Sequence, residues 1–331
     1  MVTDFLGLAL ATAVTLVAAI PIRWIALRYG ILDHPGSHKT HRDPIPYLGG
    51  LAIWLGLVIS VAVIAPDQKR IAALLTVILL LGLMDDIFGA KVATKLVIEF
   101  AVAVAVVGLG FVWHLTDSYL LNVGISLLWI VALTNAFNLL DNMDGLTSTV
   151  AIAGLIGLAF LSRGIAYFAL PMAGALLGFL YWNRPRARMF MGDAGSLMVG
   201  FSLAIATIST ANTALGLHSV ALLIGPVFVA LFDTSLVIVS RIRAGLPIQV
   251  GGRDHFSHRL QAIGWSRPKV LAAALLAAIL GDVIALLATS YPHVEAWLAV
   301  PIAAAGATAW LWFLRMNPYS AKIQMVEAAS A

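Results

Sequence analysis

The chain has 331 residues, 61% of them hydrophobic and 11% charged, with a formal net charge of +4 and no cysteine. Soluble domains carry roughly a quarter charged residues, so this surplus of apolar side chains, with a mean hydropathy of +0.97, excludes a water-soluble globular protein and calls for a lipid solvent. Lack of cysteine excludes disulfides and thiolate metal sites.

A membrane helix needs about 20 mostly apolar residues. Taken in chain order, such runs occupy 3–25, 48–65, 71–85, 96–113, 119–139, 146–162, 165–182, 195–211, 216–240, 268–290 and 294–314. The first has no basic residues ahead of it and no clear small-residue cleavage site, and further spans follow, which predicts a retained helix rather than a signal peptide. Eleven spans put the termini on opposite sides. When the loops are divided into two alternating sets, seventeen Lys and Arg fall in one set and only Lys69, Arg70 and Arg163 in the other. That positive-inside bias predicts an outside N-terminus and a cytoplasmic C-terminus. Asp33, Asp43, Asp85, Asp86, Asp141, Asp144, Asp193 and Asp254 share the basic side with His34, His38, His41, His255 and His258. The expected protein is therefore an all-α, polytopic membrane protein, a single domain over 1–331. Its chemistry would be built from cytoplasmic loops at about 26–47, 85–95, 138–146, 183–195 and 241–267.

Within those loops, "MDDIFGAKVATK" (84–95) ends an apolar run on two adjacent carboxylates, Asp85 and Asp86, with Lys91 and Lys95 following. A solvated helix end is the plain explanation for one acid. Two acids beside ammonium groups can share a divalent ion, or divide binding and base roles between them. In "NAFNLLDNMDGL" (135–146), Asn135, Asn138, Asp141 and Asp144 recur every third residue, predicting a polar stripe on one helix that stops near Gly145. It suits ribose, amide or Mg²⁺ recognition, or else a polar seam between helices. "RPRARMFMGDAGSLMVG" (184–200) predicts a helix opening at "GDAGS", whose N-terminus favours anions, with Asp193 a metal ligand rather than a phosphate contact. "GGRDHFSHRL" (251–260) sets His255 and His258 between Arg253 and Arg259, a phosphate-binding cluster in preference to a zinc site. The first loop, "DHPGSHKTHRDPIPYLGG" (33–50), adds Lys39, His41 and Arg42 as cationic donors. Asp233, inside an apolar span, is either a functional acid or a structural partner.

Acids that hold a divalent ion, bases that hold phosphate oxygens and an apolar body beneath them are the ingredients of phosphoryl transfer to a lipid-tailed substrate. No Walker-type Gly-Lys-Ser loop is present, which excludes an ATP motor of that kind. A membrane transporter using Asp233, Asp282 and the polar stripe as relay groups is the alternative from another class.

In this order, "DHPGSHKTHRDPIPYLGG", "DDIFG" with Lys95, "NAFNLLDNMDGL", "FMGDAGS", "FDT" at 232–234 and the late His loop resemble the polyprenyl-phosphate N-acetylhexosamine-1-phosphate transferases. These are bacterial integral membrane enzymes of glycosyltransferase family 4 that make the first lipid-linked sugar of cell-surface polymers, and the resemblance covers nearly the whole chain. It implies transfer of a sugar-1-phosphate from a UDP-sugar to undecaprenyl or a similar polyprenyl phosphate, with release of UMP. The cofactor implied is Mg²⁺, with Mn²⁺ as a substitute; a homodimer is plausible and nucleic acid has no part. By motif match Asp85, Asp86, Asp141 and Asp144 are the catalytic acids, with Asp85 the best candidate to deprotonate or position the acceptor phosphate. Asp193 leads the metal ligands, joined by Asp85 and Asp141. Asn138 lines the nucleotide region and Phe190 stacks on uracil. The resemblance further implies that His255, His258 and Arg259 hold the donor phosphates, that Lys95 neutralises charge nearby, and that Lys39 and His41 join them in binding substrate.

The branch that uses UDP-N-acetylmuramoyl-pentapeptide has three His followed by Phe and Glu in the late loop, and "RDHFSHRL" does not match it. The branch acting on UDP-N-acetylglucosamine usually has His-x-His-His-Arg. Ser257 replaces its middle His here, and Asn142 stands where Gly is common in an Asp-Gly-x-Asp-Gly pattern. N-acetylglucosamine is the expected sugar, with N-acetylgalactosamine or another HexNAc as alternatives.

Overall fold

A computed structural model describes residues 2–34, 43–66, 69–249, 251–290 and 295–316. Lys39 and His41 lie outside the described residues. Thirteen helices account for most of the described chain: α1 (Val2–Tyr29), α2 (Gly49–Ile64), α3 (Lys69–Phe88), α4 (Val92–Gly108), α5 (Tyr119–Leu140), α6 (Leu146–Leu161), α7 (Ala166–Asn183), α8 (Gly192–Ala211), α9 (Gly216–Ile224), α10 (Phe228–Arg243), α11 (Phe256–Ala262), α12 (Arg267–Ser290) and α13 (Glu295–Arg315). The protein is an all-α polytopic membrane protein. Seven helical stretches among the described residues are individually long and apolar enough to cross a bilayer, and α2 and α6 are apolar but shorter. Two short strands, β1 (Leu32–Asp33) and β2 (Ile45–Pro46), pair antiparallel with Leu32 opposite Pro46 and close the base of the first loop.

Helix α8 is the axis of the bundle. Every residue from Ala194 to Ile208 is buried, as expected of a helix that is apolar all round. α2, α3, α5 and α6 surround it. Two of its hydroxyls turn back onto its own carbonyls, Ser202 to Met198 and Thr207 to Leu203, each at 2.8 Å. No water reaches them there, so internal acceptors are required. At its N-terminal end α8 touches two neighbours backbone to backbone. A Cβ on Gly50 of α2 would lie 2.4 Å from the Gly195 nitrogen, and one on Gly82 of α3 would lie 2.3 Å from the Ala194 Cα. Small residues allow helices to approach this closely where hydrophobic driving force between them is weak.

Four local departures from the sequence expectation have simple causes. The third run does not stop at the acid pair: α3 continues to Phe88, so Asp85 and Asp86 sit in its last turn. α4 starts and ends earlier than 96–113, ending where Gly110 takes a φ of 95°. α5 stops at Leu140, so the polar stripe is not one helical face. Asp141 is the C-terminal cap of α5, Asp144 lies in the following turn, and Gly145 (φ 77°) begins α6 rather than ending α5. The ninth run breaks into α9 and α10 at a 3₁₀ turn, Gly225–Val227, where Pro226 has no backbone N–H to continue the ladder.

Gly82→Ala should therefore force α3 away from α8, and overpacking of this kind costs about 1–3 kcal/mol. Thermal unfolding in detergent should show a lowered midpoint for Gly82→Ala. Gly108→Ala, whose Cβ would meet nothing within 4 Å, should be near neutral; equal midpoints for the two variants would contradict the packing.

Candidate active site

Charged groups converge where the C-terminal ends of α3 and α5 meet the N-terminal ends of α4 and α8. Lys95, in the first turn of α4, donates to Asp85 Oδ2 at 2.6 Å and to Asp193 Oδ2 at 2.5 Å. Asp85 Oδ1 also accepts the Ala90 N–H at 2.5 Å, which ties the carboxylate to the α3–α4 turn. Asn138, on α5, donates from Nδ2 to Asp193 Oδ1 at 3.0 Å and to Ser196 Oγ at 2.9 Å. Four of the sequence candidates are thus in direct contact. Asp193 is the most open of the three charged groups, its side chain 31% exposed against 17% for Asp85 and 14% for Lys95.

Asp86 points the other way. Its two oxygens accept the N–H groups of Asp193 and Ala194 at 2.8 and 3.1 Å, so a carboxylate from α3 caps the start of α8. The first N–H groups of a helix have no partner within it and favour an anion. Here the protein supplies that anion itself, in the position where the sequence suggested a ligand phosphate. Gly192 enters the helix with φ 69°, and a Cβ on it would lie 2.3 Å from Asp86 Oδ2, so glycine is required on both counts. The Tyr47 hydroxyl donates to the Asp86 carbonyl at 2.6 Å. Burial, then the Asp86 charge, raises the Tyr47 pKa and keeps the phenol protonated.

Asp141 lies beyond the end of α5. Burial, with the charges of Asp193 and Asp144 acting in the same direction, pushes its carboxyl up to about 7. Asp144 Oδ2 accepts from Arg267 Nη1 at 2.7 Å and from the N–H groups of Arg186 and Ala187 at 3.2 and 3.3 Å. Arg186 is the one non-glycine residue with positive φ among the described residues, at 64°, and that turn aims the two N–H groups at Asp144. Asn183 closes the same loop, accepting from Gly145 N at 2.8 Å and donating to Met189 O at 3.0 Å. Phe190 is half-buried beside it, its N–H bonded to Pro46 O and its carbonyl to Gly49 N.

The His segment hangs from α10. Buried Asp233 accepts from His255 Nδ1 at 2.7 Å and from Phe256 N at 2.8 Å. Arg241 grips Asp254 with two hydrogen bonds, at 2.8 and 3.0 Å. Arg259 is 2% exposed, and its nitrogens reach Asp254 O, Ser240 Oγ and Phe313 O at 2.7, 2.5 and 2.6 Å. The ring of His258 lies 5.6 Å from that of His255. Burial, followed by the neighbouring charges of His255 and Arg253, pushes the His258 pKa down to about 4, so its imidazole is neutral near pH 7. Ser257 Oγ reaches Asn142 Oδ1 at 2.6 Å and joins this segment to the Asp141–Gly145 turn.

Glu99, which belongs to none of the motifs, also joins the site. It lies one turn after Lys95 on the same face of α4, is 2% exposed, and accepts from Asn135 Nδ2 at 2.5 Å. An acid at i+4 from a lysine inside an apolar helix was the available signal. Arg267 and Asn183 carried none, because their roles depend on loops distant in sequence. Among the described residues, no three His, Asp or Glu side chains form a ready cluster around a metal. Asp85 and Asp193 nevertheless aim one oxygen each at a single cationic centre, the Lys95 ammonium. An all-oxygen donor set of this kind fits a hard divalent ion.

The profile of glycosyl transferase family 4 matches residues 70–211, the stretch that supplies Asp85, Asp86, Lys95, Asn138, Asp141, Asp144, Phe190 and Asp193. The chain is 33% identical over 298 residues to a Bacillus subtilis (strain 168) protein named as a probable undecaprenyl-phosphate N-acetylglucosaminyl 1-phosphate transferase, covering 84% of this chain and 82% of the relative. It is 30% identical to the decaprenyl-phosphate N-acetylglucosaminephosphotransferase of Mycobacterium tuberculosis (79% and 76% covered). With the undecaprenyl-phosphate alpha-N-acetylglucosaminyl 1-phosphate transferase of Escherichia coli (strain K12) the identity is 24% (89% and 86% covered). The chain belongs to glycosyl transferase family 4.

The depressed pKa of His258 has a consequence for stability. The unfolded chain takes up a proton as pH falls below about 6.5, whereas folded His258 resists until about 4. Its contribution is therefore fully present above about 6.5 and is lost as pH falls through about 4. Thermal midpoints measured from pH 7.5 to 4.5 should fall less steeply in His258→Gln than in the wild type; parallel slopes would contradict the assignment.

Proposed function

We propose that the chain transfers a HexNAc-1-phosphate, N-acetylglucosamine-1-phosphate first among the candidates, from a UDP-sugar to a polyprenyl phosphate at the cytoplasmic face of the membrane. The observation that carries this reading is the Lys95 ammonium held between Asp85 and Asp193 at the mouth of the buried helix α8. The relatives are named as undecaprenyl- or decaprenyl-phosphate N-acetylglucosamine phosphotransferases, one of them as a probable one, which favours that sugar over N-acetylmuramoyl-pentapeptide. The excess of Lys and Arg on one set of loops supports the cytoplasmic orientation.

In the reaction an oxygen of the acceptor phosphate forms a bond to the donor β-phosphorus. The bond from that phosphorus to the bridging oxygen breaks, and UMP leaves with the electron pair. Phosphoryl transfer asks the protein mainly for alignment and charge neutralisation. Lys95 offers N–H donors and a positive charge to the phosphate oxygens. Asp85, fixed by the Ala90 amide, positions the acceptor and receives its proton where the phosphate arrives as a monoanion. Asn138 orients Asp193. Asp86 and Asp144 hold the main chain around them in place. Asp193, Asp85 and Asp141 would hold Mg²⁺, or Mn²⁺, which when bound supplies Lewis-acid neutralisation of the diphosphate. Phe190, at the rim beside the first loop, offers a face to uracil. His255 and His258 offer ring N–H groups to the donor. A transporter reading loses its main relay candidate, since Asp233 is engaged by His255 and the Phe256 amide.

The purified protein in detergent, given undecaprenyl phosphate, Mg²⁺ and UDP-N-acetylglucosamine, should release UMP in an acceptor-dependent way. UDP-N-acetylgalactosamine and UDP-N-acetylmuramoyl-pentapeptide should be poorer donors. Asp193→Asn and Lys95→Ala should each lower turnover by about 10²-fold or more, the scale seen when one preorganised charge contact is removed, while the protein remains folded. Full turnover in Asp193→Asn would sink the assignment.

A further inference from the structure

The loop that carries Asp141 and Asp144 and the segment that carries His255 and His258 are far apart in the sequence, and a short hydrogen bond between residues 115 positions apart links them. Ser257, fully buried on α11 between the two histidines, donates from Oγ to Asn142 Oδ1 at 2.6 Å. Asn142 sits between Asp141 and Met143, and its amide is engaged on both sides. Nδ2 donates to the Leu139 and Leu140 carbonyls at 3.1 Å each, the last turn of α5. The side chain therefore bonds the end of α5 and the start of α11 at once. One turn further along α11, Gln261 Nε2 reaches the sulfur of Met143 at 3.3 Å, a second and weaker seam beside the first.

Both partners occupy positions where the chain departs from the pattern it resembles, Asn in place of Gly and Ser in place of His. The two departures are complementary. A glycine at 142 would offer no acceptor to the Ser257 hydroxyl, and that hydroxyl is buried where water does not replace it. Asn142 also bonds the end of α5 through its Nδ2, and its Oδ1 is the acceptor that the Ser257 hydroxyl uses.

We propose that Asn142 and Ser257 act as a paired positioning device, a clasp that fixes the distance between the acid-bearing turn and the His segment so that the groups on either side of the reacting phosphates stay aligned. The inference rests on the transferase reading. Neither residue touches a substrate in this scheme. Both act through their neighbours, Asp141 and Asp144 on one side and His255 and His258 on the other. Misplacement of reacting groups by an ångström affects the aligned transition state more than the binding of either substrate alone. Loss of the clasp therefore lowers kcat and leaves KM nearly unchanged.

The test is a double-mutant cycle on turnover with Ser257→Ala, Asn142→Gly and the pair, joined to backbone hydrogen exchange. Ser257→Ala removes a single oxygen and should fold. Its kcat should fall about 5- to 20-fold, with KM for donor and acceptor each shifting by less than about 2-fold. The double variant should be no slower than Asn142→Gly alone. In Ser257→Ala, amides of 141–146 and of 256–262 should exchange faster together, with the α8 core unchanged. Unaltered kcat in Ser257→Ala, or losses that multiply in the double variant, would overturn the proposal. A wild type that releases no UMP overturns the transferase reading instead. The exchange result then still decides the clasp: paired acceleration upholds it, and unchanged protection overturns it.

Discussion

The start of α8 is the constraint on which the rest of the molecule depends. A helix buried along nearly its whole length cannot leave its first N–H groups to water, and Asp86 answers that need by reaching across from α3. The arrangement sets the register of α3 against α8. Asp85, the preceding residue, is held at the α3–α4 turn by Ala90, and Asp193, whose own N–H is bound by Asp86, sends its carboxylate toward Lys95. The two adjacent acids in the sequence thus do different work. One completes a helix, and the other joins a charged cluster with the side chain that the completed helix presents.

The same division recurs through the site. Asp144 is held by Arg267 and two backbone amides, Asp233 by His255 and the Phe256 amide, and Asp254 by Arg241. These carboxylates stabilise loops that could not otherwise order their polar backbone so near an apolar bundle. Asp85 and Asp193 instead turn toward the Lys95 ammonium between them. The cations divide likewise: Arg259 and Arg241 grip the chain, whereas Lys95 sits between two acids and can exchange partners. A point charge on a flexible stem suits that task better than a planar guanidinium fixed in three directions.

Much of this was legible in the sequence, because apolar runs of membrane length and glycines beside an aspartate have local physical meaning. The opening of a helix at Gly192 and the gathering of Asp85, Lys95, Asn138 and Asp193 follow from the motifs. The third-residue spacing of Asn135, Asn138, Asp141 and Asp144 misled, because periodicity cannot tell where a helix ends when its last carbonyls are taken by a side chain such as Asn142. The sequence pattern also marks Arg259 as a phosphate-binding cation and Asp233 as a membrane-embedded acid. Only the fold shows that each is already bonded to main chain or to a residue of another segment. Partner identity over long sequence separations is the information a single chain does not carry locally.

The contacts of Gly50 and Gly82 with α8 have a consequence for how freely the protein can change. They are made between backbones, whose shape every amino acid shares, so the geometry around Asp193 is referred to the main chain rather than to a jigsaw of neighbouring side chains. The outward faces of α1, α4 and α12 need only remain oily and helical. A sequence can drift far across that surface, through membranes of different lipid content, while the few glycines and carboxylates at the centre hold the chemistry still.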